Sequence, residues 1–240
     1  EKPVATELAS KILAIEDIWG EVFKVSIEKI SDIDWLVENQ KSFKPFEVGD
    51  FFIYQDIYKG DIPNDKIAIK VQASKAFGTG SHATTMGCLQ AIDELSGEFN
   101  NVIDVGTGTG ILSVAINKHL KPNKIIATDV DKDACEVAFE TFNENDVSSI
   151  DIIQADGLDN KCITNNGKYD LLVANILAKP LIEISKYTLP ILTDNASIIL
   201  SGINKTAKQS VLDCYTELGF VLSKQYEIND WYTLLMLRNK

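Results

Sequence analysis

The sequence predicts an α/β protein: a mostly parallel β-sheet with an antiparallel C-terminal strand, preceded by a small α+β region. Three observations support this prediction. Strand-like apolar runs alternate with helical runs from about residue 63 onward. A glycine-rich turn joins one of these strands to one of these helices within 102–113. Two strand-like runs follow each other directly at the end of the chain.

The composition narrows the classes of protein that are possible. The chain has 240 residues, a net charge of −12, 45% hydrophobic residues and 24% charged residues, as is ordinary for a globular protein. The acidic charge argues against a general nucleic-acid binder, which needs a basic face, and favours a basic partner. No apolar run is long enough to span a bilayer and no signal-peptide pattern opens the chain. We therefore expect a cytoplasmic protein without membrane contact.

The cysteines and histidines do not form a metal-binding pattern. The four cysteines are widely spaced, with no C-x-x-C pair, and the chain has only two histidines. Cysteines spaced in this way are expected to be free, reduced thiols in a cytoplasmic protein. We expect no metal site.

The first 62 residues differ from the rest of the chain and are predicted to form a separate N-terminal region and linker, with the main domain at 63–240. The region contains a predicted helix, a half-buried strand, a second helix and an aromatic-rich strand, at 8–15, 21–30, 31–42 and 50–58. A polar turn cluster, KGDIPNDK at 59–66, marks the boundary. A short strand at 67–72 follows it.

The next stretch, AFGTGSHATT at 76–85, is rich in glycine and hydroxyl residues. It lies just upstream of the glycine-turn strand, so we expect it to cover the open side of a bound ligand. Ser81 or Thr84 is expected to cap the helix that follows. His82 is predicted to be a hydrogen-bonding residue of this loop rather than a base.

The strand, turn and helix at 102–113 (VIDVGTGTGILS) predict the binding site. Glycines 106, 108 and 110 occupy alternate positions; they permit positive φ angles and a close approach of a ligand to the main chain. The helix that begins near Gly110 directs its unpaired N–H groups toward that ligand. The next strand ends in Asp129, whose carboxylate can accept both hydroxyls of a ribose.

The glycine spacing distinguishes between two ligands. It differs from the G-x-G-x-x-G of dinucleotide-binding folds, because the third glycine comes two residues after the second. The form D-x-G-x-G-x-G with a downstream acid is similar to the class I S-adenosylmethionine (SAM) methyltransferases, whose sheet is Rossmann-like. That ligand has no phosphate and carries an amine, which an acid such as Asp104 suits.

The alternation of strands and helices then continues to the end of the chain. Asp156, after a strand at 150–155, is expected either to meet the adenine or to cap a loop, and 160–167 reads as a polar surface turn. Tyr169–Asn175 is nearly all apolar, as expected of a central parallel strand. Pro180 suits the first turn of the next helix. The last predicted elements are a strand, a helix and two closing strands at 197–202, 207–218, 220–226 and 231–237.

Three stretches in this order resemble the PrmA family, the methyltransferases of ribosomal protein L-eleven (L11). They are AFGTGSHATTMGCLQ at 76–90, DVGTGTGILSVA at 104–115 and ANILAKPL at 174–181. The resemblance runs from about Trp35 to the C-terminus. The ANILA stretch is the most specific, because most amino methyltransferases with an Asn or Asp here follow it with two prolines.

The resemblance implies SAM as cofactor, methylation of lysine or N-terminal amines, and L11 as the basic protein substrate. It implies cofactor contacts at six residues, Phe77, Thr85, Gly106, Gly108, Asp129 and Asn175. It also implies that Asn175 orients the acceptor amine, with Ile176 and Leu177 as apolar walls. This chain has Thr107 and Thr109 where the family usually has a serine or cysteine, and its N-terminal recognition region is shorter than the family's.

Three other functions remain open at this point. The first is a class I methyltransferase that acts on a different protein amine, a small molecule or an RNA base. The second is an NAD-dependent oxidoreductase on a related fold, which the glycine spacing and the two terminal strands disfavour. The third is a non-catalytic module that binds SAM without turnover.

Overall fold

A computed structural model of the chain describes residues 43–72 and 82–238. The elements predicted before residue 43, the start of the family resemblance at Trp35, and most of the glycine- and threonine-rich loop, including Phe77, lie outside the described residues. No described helix has the length and apolar character that crossing a bilayer requires.

The described residues form ten strands and six helices. The strands are β1 (Phe46–Val48), β2 (Phe51–Tyr54), β3 (Ile67–Lys70), β4 (Asn101–Val105), β5 (Lys124–Asp129), β6 (Ile150–Gln154), β7 (Tyr169–Asn175), β8 (Leu192–Asn204), β9 (Phe220–Ile228) and β10 (Trp231–Arg238). The helices are α1 (Ala83–Asp93), α2 (Ile111–Leu120), α3 (Lys132–Glu144), α4 (Lys161–Thr164), α5 (Ala178–Ile191) and α6 (Lys208–Glu217).

Seven strands form one sheet in the order β6-β5-β4-β7-β8-β10-β9. The first five are parallel, and β10 is antiparallel to both β8 and β9. This arrangement confirms the predicted fold class. The chain order reverses between β4 and β7, and α/β proteins bind ligands at the carboxyl ends of the strands at such a point.

Two cores cover the two faces of this sheet, because alternate residues of each strand point to opposite sides. In β7, for example, Leu171 and Val173 pack in one core and Leu172 and Ala174 in the other, and all four are fully buried. Helices α1 and α2 cover the first face, and α5 and α6 cover the second. This burial on both faces explains the nearly continuous apolar run in the sequence.

The small sheet has the order β1-β2-β3 and packs against the first core. Phe51, Ile53 and Ile69 are fully buried there, together with Leu89 of α1 and Ile116 of α2. Strand β2 is shorter than the predicted strand at 50–58, and β1 was not predicted. With three residues directly after a proline, β1 is too short for a recognisable alternation of apolar and polar residues.

Two further differences concern the second half of the chain. The predicted polar turn at 160–167 contains the single helical turn α4, whose first turn is capped by Asn160 accepting from Cys162 N–H at 2.8 Å. Strand β8 begins at Leu192, directly after α5, and not at Ser197 as expected. The short turn between the closing strands has positive φ at Asn229 and Asp230, which is the turn geometry that two-residue hairpins prefer.

Candidate functional site

A cavity of about 1110 Å³ opens at the carboxyl ends of the central strands. Its floor and walls come from the ends of β4, β5 and β7, the residues after β6, the start of α5 and the start of β10. The cavity therefore lies where the strand order reverses. Among the described residues, four carboxylates line it (Asp129, Asp156, Asp159 and Glu183), against the single ammonium of Lys186.

The glycine turn forms one wall of the cavity, and both Gly106 and Gly108 line it. The turn is tied to the next strand, since the N–H groups of Gly106 and Thr107 both donate to the Thr128 carbonyl at 2.8 Å. Gly106 has a φ of +71°, and a Cβ on it would overlap the side chain of Ile176. A larger residue would therefore be strained in its backbone and would displace the opposite wall.

Asp129 is at the end of β5, beside the glycine turn, and its carboxylate lines the cavity. One carboxylate oxygen accepts the Gly108 N–H at 2.9 Å, and the other accepts the Asp131 N–H at 3.0 Å. Two main-chain donors thus fix the direction of the carboxylate. Each oxygen retains a free lone pair for a further donor such as a hydroxyl.

Asp104 is fully buried behind the same turn. Its Oδ2 accepts hydrogen bonds from the Thr107 hydroxyl at 2.7 Å and the Ser113 hydroxyl at 2.6 Å. Its Oδ1 is buried without a partner. Burial raises the pKa of this carboxyl to about 6, against the opposing effect of the two hydroxyl hydrogen bonds. The sequence analysis noted Thr107 as a departure from the family but did not predict this hydrogen bond.

Asn175 ends β7 and reaches the cavity next to two apolar residues, Ile176 and Leu177, which also line it. Its Nδ2 donates to the Thr85 hydroxyl at a distance of 3.4 Å. Its Oδ1 is buried and has no hydrogen-bond partner. An unpaired buried carbonyl oxygen is costly, and no described protein group donates a hydrogen bond to this one.

Thr85 is fully buried beneath Asn175, whereas its neighbour Thr84 and the N-cap residue His82 line the cavity. The His82 Nδ1 accepts the Thr84 N–H at 3.3 Å and lies 2.8 Å from the Thr84 hydroxyl oxygen. The ring thereby satisfies one of the main-chain donors in the first turn of the helix. The structure thus places His82 as the cap of α1.

Trp231 is a cavity residue that sequence reasoning missed. Its ring meets the His82 ring edge-to-face, with centroids 5.3 Å apart. Because β10 is antiparallel to β8, its first residue lies at the same edge of the sheet as the last residues of β7 and β8. The predicted antiparallel final strand could therefore have identified Trp231, as the first residue of that strand, as a cavity residue.

The opposite end of the cavity is formed by the residues that follow β5 and β6. Val130, which is largely exposed, lines it together with Ala155, Asp156 and Leu158. Asp156 therefore lies at the cavity, as the adenine alternative requires, and contact with an adenine stays a prediction. In the part of the chain that the structure describes, no group of three His, Cys, Asp or Glu side chains is placed to hold a metal ion.

The fold and the cavity define a class I SAM-dependent methyltransferase. Solved structures agree: the TrmK protein of M. capricolum, in complex with the cofactor product S-adenosyl-homocysteine, superposes with a TM-score of 0.52 at 19% identity, over 62% of this chain and 66% of that one. Such a likeness supports the fold alone.

The particular family follows from closer relatives. The family model "Ribosomal protein L11 methyltransferase (PrmA)" matches residues 2–239, and the chain belongs to this family. A curated member from Caulobacter sp. (strain K31) is 33% identical over 226 residues, 93% of this chain and 78% of that protein. One from Rhizobium leguminosarum bv. trifolii (strain WSM2304) is 36% identical over 210 residues, 86% of this chain and 72% of that protein.

A solved structure gives the same result. The crystal structure of a ribosomal protein L11 methylase from Lactobacillus delbrueckii subsp. bulgaricus superposes with a TM-score of 0.74 at 25% identity, and the match covers 82% of this chain and all of that one. SAM is therefore the cofactor, and the NAD-dependent alternative has no support.

Proposed function

We propose that this protein transfers methyl groups from SAM to amino groups of ribosomal protein L11, at lysine side chains, the N-terminal amine or both. The observation that supports this most directly is the unpaired Asn175 Oδ1, a neutral acceptor at the cavity between apolar walls. The names of the curated relatives supply the substrate. The acidic lining of the cavity suits a basic substrate.

The residues present fit the cofactor. Gly106 and Gly108 form a main-chain cradle that a Cβ at Gly106 would fill, and the oriented carboxylate of Asp129 suits the ribose hydroxyls. The unpaired Oδ1 of the buried Asp104 suits the cofactor amine. Phe77 stays a proposed packing partner, and direct contact of Thr85 with the cofactor stays a prediction. Bound SAM supplies a methyl group that its sulfonium makes electrophilic.

The chain's own part in the reaction is to hold a neutral amine in line. A lysine ammonium has an unperturbed pKa of about 10.4, and the apolar walls formed by Ile176 and Leu177 lower that value by disfavouring charge. Asn175 Oδ1 accepts an N–H of the neutral amine, which directs the nitrogen lone pair into the cavity. Orientation of this kind supplies much of the rate enhancement in transfers between two bound groups.

We also infer the roles of the other regions. Residues 1–62 act as a recognition region and linker, and 63–240 as the methyltransferase domain. The acidic chain works in the cytoplasm on a basic protein and does not bind nucleic acid directly, because nucleic-acid binding requires a basic face.

Replacing Asn175 tests the proposed role. Asn175→Ala is expected to keep the Kd for SAM within about tenfold and to lose most methyl transfer, because the lost hydrogen bond forms only with the acceptor amine. The assay is incubation of purified L11 with labelled SAM, followed by mass spectrometry of the modified protein. Full activity of the variant would remove the orienting role.

The same assay with a mixture of purified ribosomal proteins separates the alternatives. Label on L11 alone supports the proposed substrate. Label on another protein identifies a different amine acceptor. Binding of SAM by calorimetry without label on any ribosomal protein would support a non-catalytic module.

A further inference from the structure

The pairing of strands β8 and β10 is irregular at two hydroxyl residues, Ser201 and Thr233, near the end of the cavity that contains Asn175. Tyr232 pairs with Ile203 and Leu234 pairs with Leu200. Two residues of β8, Ser201 and Gly202, therefore lie opposite the single residue Thr233, which is a β-bulge. Bulges next to active sites commonly redirect a side chain. Here the bulge places the two hydroxyls 2.6 Å apart.

The direction of this hydrogen-bond chain is fixed by its protons. The Ser201 hydroxyl donates to the main-chain carbonyl of Thr84 at 3.1 Å. Since a serine hydroxyl has a single proton, the Thr233 hydroxyl must be the donor to Ser201. Ser201 and Thr233 are buried, with 0% and 2% of their surface exposed. Both strands are thereby tied to the first turn of α1.

Helix α1 has a glycine at the point where the Thr233 hydroxyl approaches it. Gly87, in the middle of the helix, is less favourable for helix formation than alanine would be. A Cβ at this position would overlap the Thr233 hydroxyl. The glycine therefore allows the strand hydroxyl to approach the helix.

The first turn of α1 in turn holds the proposed acceptor residue. Ser201 binds the carbonyl of Thr84, and Thr85 is the next residue. The Thr85 hydroxyl accepts a hydrogen bond from the Asn175 amide. Ser201 is also the direct neighbour of Asn175 in the strand pairing. The network thus reaches Asn175 from the helix and from the adjacent strand.

We propose that Ser201 and Thr233 are positioning residues for methyl transfer, which fix α1 so that Thr85 holds the Asn175 oxygen toward the cavity. This inference rests on the proposed orienting role of Asn175. Neither hydroxyl is part of the cavity lining, so each acts through other residues and not by contact with substrate or cofactor.

Thr233→Val tests the proposal because it keeps the shape of the side chain and removes the hydroxyl. A methyl group cannot remain 2.6 Å from the Ser201 oxygen, so β8 and β10 must separate at the bulge, and Ser201, which binds the first turn of α1, must shift. We expect kcat on L11 to fall about tenfold, as a small misplacement of reacting groups does, while the Kd for SAM and the KM for L11 change less than about twofold. Thr233→Ser, which restores the hydroxyl, is expected to restore kcat.

Thr141→Val is the matched control. Thr141 is fully buried and its hydroxyl binds the Val137 carbonyl within α3 at 3.0 Å, so this variant loses a buried hydroxyl away from the site. Thermal unfolding of each variant ensures that kcat is measured on folded protein. An equal loss of kcat in Thr141→Val, or an unchanged kcat in Thr233→Val, would overturn the proposal, as would a loss confined to SAM affinity.

A second variant disturbs the contact between Gly87 and Thr233 from the side of the helix. Gly87→Ala keeps every hydroxyl and improves the helix propensity, yet it displaces Thr233. We expect kcat to fall by a similar factor of about ten without any loss of SAM affinity. A fully active Gly87→Ala would contradict the proposal even if Thr233→Val proved difficult to purify.

A double-variant cycle separates failure of this inference from failure of the proposed function. If Thr233 acts through Asn175, then adding Thr233→Val to Asn175→Ala costs little further rate, because coupled residues are not additive. Full additivity would overturn the inference and leave the role of Asn175 intact. Full activity of Asn175→Ala alone would instead remove the proposed function of that residue.

Discussion

At the scale of single residues, three buried side-chain oxygens of the described residues have no hydrogen-bond partner, and two of them belong to proposed site residues; the third is Gln55 Oε1, away from the cavity. Asp104 Oδ1 and Asn175 Oδ1 are both buried and unpaired, although a buried unpaired oxygen costs about 1–3 kcal/mol. Asn175 lines the cavity at the end of β7, whereas Asp104 lies behind the glycine turn and is not among the lining residues. On the function proposed above, the cofactor amine and the acceptor amine are the donors that these two oxygens lack.

Asp104 gives the first prediction at this scale. Burial raises the pKa of this carboxyl in the folded protein to about 6, above its ordinary value of 3.8. Between about pH 4 and 6 the folded protein holds a proton that the unfolded chain has released, so this group's contribution to the free energy of unfolding falls as the pH rises through that window. Denaturant unfolding from pH 4 to 7 should show this slope, and Asp104→Asn should remove it.

The same residue should make cofactor binding pH-dependent. An ammonium beside Asp104 requires the ionised carboxylate, so the affinity for SAM is expected to fall as the pH drops below about 6. In Asp104→Asn the affinity should be lower at neutral pH and nearly independent of pH. Calorimetric titration of SAM from pH 5 to 8 measures this. A flat profile in the unmodified protein would contradict the assignment.

Asp129 gives a further prediction at the residue scale. Asp129→Ala is expected to weaken SAM binding by about 10- to 100-fold, because it removes a charged acceptor worth about 1.5–3 kcal/mol. Calorimetry compares the two proteins directly. Asp151→Ala is a suitable control, because Asp151 is an exposed carboxylate of the neighbouring strand β6. Unchanged binding in Asp129→Ala would mean that the ribose assignment is wrong.

At the scale of elements, the segment between β7 and α5 is held by its neighbours. Gly106 and Gly202 approach Ile176 from two sides, one at its side chain and the other at its carbonyl oxygen. Both glycines have φ angles that other residues rarely adopt, +71° and +82°. The position of Asn175 and Leu177 on either side of Ile176 therefore depends on the glycine turn after β4 and on strand β8.

Gly202→Ala should disturb this segment more than an ordinary surface change. The new Cβ overlaps the Ile176 carbonyl oxygen and the backbone is strained, so we expect a loss of about 2 kcal/mol or more in the free energy of unfolding. Methyl transfer should fall further than SAM affinity. Gly219→Ala is the matched control, since Gly219 has a φ of +90° but open space around it. Equal effects of the two variants would argue against the steric explanation.

At the scale of the whole molecule, one asparagine links the small sheet to the main one. Asn145, after α3, donates to the Lys70 carbonyl at 2.7 Å and accepts the Lys70 N–H at 3.0 Å, so it pairs with β3 as a neighbouring strand would. Lys118 Nζ also donates to it, and to the Ala68 carbonyl. Burial lowers the pKa of this lysine.

Asn145→Ala is expected to reduce the free energy of unfolding by about 2–3 kcal/mol, because it removes the partner of the Lys70 main-chain N–H and carbonyl and one of the two hydrogen bonds of the half-buried Lys118. Denaturant unfolding measures the loss. The Kd for SAM should stay unchanged, since Asn145 is not among the residues that line the cavity. A large loss of SAM affinity in folded protein would contradict the view that this residue serves the small sheet alone.

The sequence by itself determined the class of fold, the cofactor and the ends of the central strands. The carboxyl ends of parallel strands meet at one edge of a sheet. The alternation of strands and helices therefore already predicts that Asp129 and Asn175 lie at a common cavity. Local patterns suffice here, because strand periodicity and glycine turns are encoded within a few residues.

Only the tertiary structure decided how the acceptor end is assembled. The bulge opposite Thr233, the approach of Gly87 and the position of Trp231 depend on which strands are neighbours and in what register. Contacts between residues distant in the chain leave no periodic signal in it. The unpaired state of the Asn175 oxygen likewise depends on every group that surrounds it, and only coordinates reveal those groups.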